Sequence, residues 1–326
     1  VDGIYTDSGL NLRLYQKLYL IRKAEEYIQR KYPNDEMKTP MHMSMGEEAI
    51  VTGVCEALRG QGLFFGTYRT HALYLAVTGE TDKFFAELYG KATGTAAGRA
   101  GSMHLASPEN GLVLTSAVVG TTIPLAVGSA LASKMRKDSK ISVSFFGDGA
   151  TDEGVFWESL NAACLWRLPV IFVCEDNGLA IQTPISKRRG YESLVDIVSR
   201  FNCLVLKTDT TDVKKVYELV KNAVDYIRSS SGPVFLNLKY YRYLDHVGVE
   251  TDFKEGYRPE EEFKEWLERD PLKIQREFLI QNLEIEEDEI MEMEGKIENQ
   301  ISLSITMARL SPFPEKDDLG GGVFHV

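Results

Sequence analysis

Between residues 124 and 241 short apolar runs take turns with helical stretches, and this alternation restricts the fold more than any other feature of the chain. The runs ISVSFF (141–146), PVIFVCE (169–175), CLVLKT (203–208) and PVFLNLKYY (233–241) read as strands. Apolar residues at helical spacing fill 124–135, about 152–166, and 211–230. Strands separated by helices imply βαβ units, and hence an α/β fold with a mostly parallel sheet flanked by helices on both faces. Before this region a helix is expected over 10–32, stopped by Pro33-Asn34-Asp35, with a second beginning near Gly46. The stretch YGKATGTAAGRAGSMHLASPENG (89–111) has no sustained period and reads as a long ordered loop. After Tyr243 two acidic helices are expected, about 260–281 and 286–309. The chain thus divides into an N-terminal helical arm (1–40), an α/β core (41–245) and a C-terminal loop and acidic helical arm (246–326).

Charge and cysteine content narrow what such a fold can serve. With 326 residues, 44 % of them hydrophobic, the chain can bury a substantial core. The net charge of −11 argues against nucleic acid or an anionic membrane as principal partner. Residues 250–300 hold 18 acidic and 7 basic side chains, so this segment accounts for the whole imbalance and reads as a solvated helical face. Cys55, Cys164, Cys174 and Cys203 form no CxxC pair and are expected to be reduced core residues. Neither a membrane-length apolar run nor a signal or transit pattern is evident, and the expected setting is cytoplasmic.

The motif that carries chemistry is FFGDGATDEG (145–154), a glycine loop at a strand-to-helix junction with a carboxylate, Asp148, at its centre. Such junctions hold phosphate through backbone and helix amides, yet two unit anions about 4 Å apart repel by roughly 4 kcal/mol at an effective dielectric of 20. A divalent cation reverses that sign. Asn177 follows the next strand, which places it and Asp148 on one edge of the sheet, where ligands of open parallel sheets collect. A carboxylate and an amide oxygen are hard ligands suited to magnesium, which completes its shell with water and phosphate oxygens. Gly147 and Gly149 let the backbone approach the anion.

The segment GDGATDEGVFWESLNAACLWRLPVIFVCEDN (147–177) resembles the thiamine diphosphate signature, a GDG followed downstream by Asn. Together with HMSMGEEA, TYRTHALYLAVTG, GRAGSMHL, VVGTTIPLAVGSALASK and YYRYLDHVG it is similar, in order, to the alpha subunit of the decarboxylating component of 2-oxo acid dehydrogenase complexes, the pyruvate, acetoin and branched-chain group. The resemblance implies the thiamine diphosphate-binding fold and two cofactors, thiamine diphosphate and magnesium. It gives Asp148 and Asn177 the role of side-chain metal ligands and Leu179 that of a backbone carbonyl ligand. Gly149 and Ala150 match the amides on the diphosphate, Tyr68 and Arg69 the Tyr-Arg pair that holds it, and Ala117 and Val119 positions lining the aminopyrimidine. His246 matches the histidine beside the reactive carbon, with His42 and His71 as second choices for proton transfer; His104 fits a structural loop role equally well. The implied reaction is oxidative decarboxylation of a 2-oxo acid, pyruvate first, with acyl transfer to a lipoyl acyltransferase. Acetoin cleavage or another thiamine-dependent carboligation is the alternative.

Departures from the family pattern are Asp176 in place of a second Asn, Leu244 where pyruvate-type members carry histidine, and Val247 where mitochondrial members carry a regulatory serine. The last points to a bacterial-type enzyme without phosphorylation at that position. The family's cofactor-activating glutamate belongs to a beta subunit, so an assembly of two alpha and two beta chains is implied. Rival classes lack their motifs. GTAAGRAG (94–101) has neither GxGxxG spacing nor a preceding strand, and Gly90-Lys91 is followed by Ala92 where a P-loop needs Ser or Thr. A non-catalytic paralogue would be expected to lack Asp148, Asn177 or His246, and all three are present.

Overall fold

In the computed structural model, residues 3–229 and 232–320 are described. Helix α1 (Ser8–Lys31) is capped by Asp7, whose carboxylate accepts the Leu10 amide at 2.8 Å. It is followed by α2 (Glu48–Ala57), β1 (Gly62–Gly66), α3 (His71–Thr78), α4 (Asp82–Leu88) and β2 (Leu112–Thr115). The expected alternation comes next: α5 (Thr122–Arg136), β3 (Ile141–Gly147), α6 (Gly154–Leu165), β4 (Val170–Asp176), a small hairpin of β5 (Leu179–Ala180) and β6 (Thr183–Pro184), α7 (Leu194–Val198), β7 (Leu204–Thr208), α8 (Val213–Arg228) and β8 (Val234–Lys239). The expected end of α8 at Ser230 lies outside the described residues. Three more α-helices follow among the described residues: α9 (Glu260–Leu267), α10 (Pro271–Leu283) and α11 (Glu287–Leu310).

Six strands form one parallel sheet in the order β2-β1-β3-β4-β8-β7. Its central strands are apolar on both sides because helices cover both faces. Val143, Phe145, Ile171, Val173, Val234 and Leu236 point into a core shared with α1–α4, α8 and α11. Phe146, Phe172, Cys174 and Phe235 point the other way, onto α5 and α6. The edge strand β7 is only partly buried, and its Lys207 is exposed. All four cysteines are free, and three are buried.

The glycine-rich stretch after α4 is ordered by a single side chain. Glu87, 1 % exposed, accepts the amides of Ala96 and Gly98 on Oε2, at 2.8 and 3.0 Å, and those of Ala100 and Gly101 on Oε1, at 2.8 and 2.9 Å. One carboxylate thus satisfies donors that a strand or helix would otherwise satisfy. Glu87→Ala is expected to lower stability by about 3 kcal/mol or more, since each deprived buried donor costs roughly 1–3 kcal/mol. A change in urea-unfolding free energy below 1 kcal/mol would contradict this account.

Helices α1 and α11 both lie against the core. Leu14, Leu18 and Ile21 of α1 are fully buried. Helix α11 packs on α4 and α1 through Ile290, Ile297, Ile301 and Ile305, and Ser304 shares a 2.6 Å hydrogen bond with Thr81. The helix expected over 260–281 is two helices. Asp270 caps the second by accepting the Leu272 amide at 2.9 Å, and Pro271 at its first position cannot continue the preceding one. No described helix is long and apolar enough to cross a membrane.

Candidate active site

The chain's path through the sheet reverses between β1 and β3, and the crevice outside the carboxyl ends of strands at such a switch point is where open α/β sheets hold ligands. A cleft of about 250 Å³ opens there. Tyr68 and Arg69 enter it after β1, Gly147 at the end of β3, Gly149 and Ala150 just beyond it, and Asn177 and Leu179 after β4. Tyr240 after β8, Val119 before α5 and His246 also line it. A Cβ on Gly147 would project into open space, so the absent side chain leaves room beside the loop backbone.

Strands β3 and β4 are neighbours with Gly147 opposite Glu175, which sets Asp148 and Asn177 on adjacent strand ends. Asp148 is fully buried at the start of a 3-10 turn, Asp148–Asp152. Its Oδ2 is bound by the Arg188 guanidinium, while Oδ1 is buried with no hydrogen-bond partner among the described residues. Burial and, next, the Asp176 charge push this carboxyl up to about 7, against the pull of Arg188 and Arg189. Asn177 donates from Nδ2 to the Tyr240 hydroxyl at 2.9 Å and accepts the Leu179 amide on Oδ1 at 3.0 Å. Asp176 braces this turn by accepting the Gly178 amide at 3.1 Å and the Asn237 side chain at 3.0 Å. Among the described residues no three His, Cys, Asp or Glu side chains converge to hold a metal. A cation here would therefore need amide, carbonyl and ligand oxygens besides Asp148, as magnesium tolerates.

Three rings meet beside the cleft, which Tyr68 and His246 line and His42 does not. His42 lies 4.5 Å from Tyr68 and 5.3 Å from His246, centroid to centroid, and Tyr68 lies 5.5 Å from His246. Arg69 is 8 % exposed and donates to the carbonyls of Met43 at 2.5 Å and His246 at 3.2 Å. Its guanidinium thus clamps two loops together, a role the resemblance, which gives Arg69 the diphosphate, did not include. His71 does not reach the cleft. It is fully buried, with Nδ1 against Glu25 at 2.5 Å and Nε2 against Ser102 at 2.6 Å, so both ring nitrogens are engaged. His104 is exposed on a 3-10 turn, and Ala117 lies outside the lining that its neighbour Val119 joins.

The sequence profile of the family described as Dehydrogenase E1 component matches residues 16–316. The chain belongs to that family. It is 31 % identical to the alpha subunit of acetoin:2,6-dichlorophenolindophenol oxidoreductase of Bacillus subtilis, over 98 % of this chain and 94 % of that one. It is 33 % identical to the pyruvate dehydrogenase E1 component subunit alpha of Zymomonas mobilis, over 94 % of this chain and 86 % of that one. A third relative, the chloroplastic pyruvate dehydrogenase E1 component subunit alpha-3 of Oryza sativa, is 32 % identical over 96 % of this chain and 75 % of its own. The E1 family is thiamine diphosphate-dependent, and its alpha chains work with a beta subunit.

The E1 chain also buries two carboxyls beside its cleft that motif reading passed over. Glu47 belongs to the quoted HMSMGEEA run and Glu175 is the penultimate residue of β4; both line the cleft. Burial pushes both up, Glu47 well above the usual range with Glu175 adding to the effect, and Glu175 to about 8. Burial, reinforced by Arg69, pushes the neighbouring histidines down, His42 to about 3 and His246 to about 4. The two sets act on stability with opposite signs. The acids contribute stability that is full below their unfolded value and is lost as pH rises through their raised values. The histidines contribute stability present above about 6.5 and lost as pH falls. Between pH 6.5 and 8 the folded histidines are neutral and the unfolded ones lose their remaining roughly half proton, so their opposing contribution is the smaller one and fades. The cofactor-free enzyme is therefore expected to become less stable as pH rises through that window, read as a falling urea midpoint; a flat or rising midpoint would contradict the assignment.

Proposed function

We propose that this chain is the alpha subunit of a thiamine diphosphate- and magnesium-dependent 2-oxo acid dehydrogenase that decarboxylates pyruvate and passes the acyl group to the lipoyl group of an acyltransferase. The observation that carries this is Asp148 and Asn177 on the adjacent ends of β3 and β4, next to the switch point, with one Asp148 oxygen buried and unpartnered among the described residues. Asp148, Asn177 and the Leu179 carbonyl would hold magnesium. The amides of Gly149 and Ala150 would bind the diphosphate, with Tyr68 and Arg69 beside them, and Val119 would flank the aminopyrimidine.

When bound, thiamine diphosphate supplies the electron sink that decarboxylation of a 2-oxo acid requires. The protein's part is to orient, exclude water and manage protons. His246, depressed to about 4, is neutral at physiological pH and can accept a proton. An anion bound beside Arg69 would offset the cationic field on His246, raise its pKa and make it a better acceptor, so that more of the ring carries a proton it can later give up. His42, packed against both Tyr68 and His246, would hold that ring in place. The enzyme would work as two alpha and two beta chains in a bacterial-type cytoplasm.

Acetoin as substrate is the second reading, supported by the Bacillus subtilis relative, whose alignment spans 98 % of this chain, and by Leu244 where pyruvate-type members carry histidine. The test is to produce the chain with its beta subunit, load both cofactors, and measure dye reduction with pyruvate, branched-chain 2-oxo acids and acetoin. Turnover fastest on pyruvate is expected. Bound cofactor with no turnover on any of them would overturn the proposal.

A further inference from the structure

We propose that Arg188 is a positioning residue for the metal: it holds one oxygen of Asp148 so that the other stays free to ligate. This rests on the magnesium site proposed above and assigns a role to a residue outside the family motifs. Arg188 spans the Asp148–Asp152 turn, with Nη2 on Asp148 Oδ2 and Nη1 on Asp152 Oδ2. The side chains of Arg188 and Asp148 are 9 % and 1 % exposed, so the pair is sheltered from water and from salt screening. Arg189 secures the same turn by its backbone, donating from Nη2 to the Asp148 carbonyl and to Thr151 Oγ1, both at 3.0 Å. Neither arginine is part of the cleft lining, and neither is Asp148, although its neighbours Gly147 and Gly149 are.

The connection to the third ligand runs through the β5–β6 hairpin. Its first strand begins with Leu179, and pairing of Leu179 with Pro184 and of Ala180 with Thr183 leads directly into the turn that bears Arg188. The Ile185 amide returns to the Gly178 carbonyl at 3.2 Å, closing the hairpin at its base. One short element therefore supplies the carbonyl ligand and the group that sets the carboxylate. Residues that orient metal ligands typically affect metal affinity by 10- to 100-fold.

The test compares wild type, Arg188→Gln, Arg188→Lys and Asp148→Ala in the full chain with its beta subunit. Magnesium is titrated calorimetrically at saturating thiamine diphosphate, and thiamine diphosphate is titrated at low and at high magnesium. Expected are a magnesium Kd raised 10- to 100-fold in Arg188→Gln, a smaller rise in Arg188→Lys, and recovery of thiamine diphosphate affinity at high magnesium. That recovery separates orientation of a metal ligand from general damage to the cleft, which excess metal would not repair. Unchanged or tighter magnesium binding in Arg188→Gln, the latter marking Arg188 as a competitor for the carboxylate, would overturn the inference. So would thiamine diphosphate binding that stays weak at high magnesium. If wild type itself binds thiamine diphosphate independently of magnesium, the metal site falls and the role of Arg188 with it; if only Arg188→Gln is silent while Asp148→Ala loses binding, the site stands and this inference alone fails.

Discussion

Replacing Asp148 with alanine is expected to abolish magnesium-dependent binding of thiamine diphosphate, with affinity falling at least 100-fold, or about 3 kcal/mol. Two losses combine. The proposed metal site loses its only carboxylate, and Arg188, nine-tenths buried, loses its main partner. Asp148→Asn separates them, because it keeps the shape of the turn and a carbonyl oxygen for Arg188 while removing the charge. Calorimetric titration of both variants with and without magnesium decides the matter. Affinity unchanged from wild type, or a loss that is equal with and without magnesium, would remove the metal argument.

The second large effect is expected at His246. His246→Ala should lower kcat for the 2-oxo acid by roughly 10²- to 10⁴-fold, the range associated with a positioned proton-transfer group. Thiamine diphosphate affinity should stay within a few-fold, since the loop is held by the bond from Arg69 to the His246 carbonyl and not to its ring. His42→Ala should cost less, because that ring supports Tyr68 and His246 from beneath. Dye-coupled turnover together with cofactor titration distinguishes these results. A His246→Ala enzyme with near-normal kcat would assign the proton to another group.

Much of this arrangement is legible in the residues, and the gaps have physical causes. Strands β3 and β7 lie between helices and β4 and β8 each follow one directly, so all four stand out in the sequence. Strands β1 and β2 do not, since they are short and sit beside glycine-rich sequence, and the switch point they define emerges only in three dimensions. Asp148 and Asn177 were readable because strand order along the chain matches strand order in the sheet at that point. His71 shows the limit of such reasoning: it stands in a motif next to Tyr68 and Arg69, yet helix α3 turns it inward onto Glu25 and Ser102. Arg188 carries no local signal, because its partner Asp148 lies 40 residues away in sequence. Glu47 and Glu175 sit within legible motifs, but what sets them apart is burial, which no spacing reports.

The seating of α11 on α4 has a consequence for how the protein is made. The Thr81–Ser304 hydrogen bond joins residues 223 apart in sequence, so the α4 face stays uncovered until α11 has been made. A parallel sheet whose strands pair at long separation is already slow to assemble, and this side of it waits longer still for its cover. While the residues between α4 and α11 are being added, chaperones or the partner chain, and not the finished core, must keep the α1–α4 surface from aggregating.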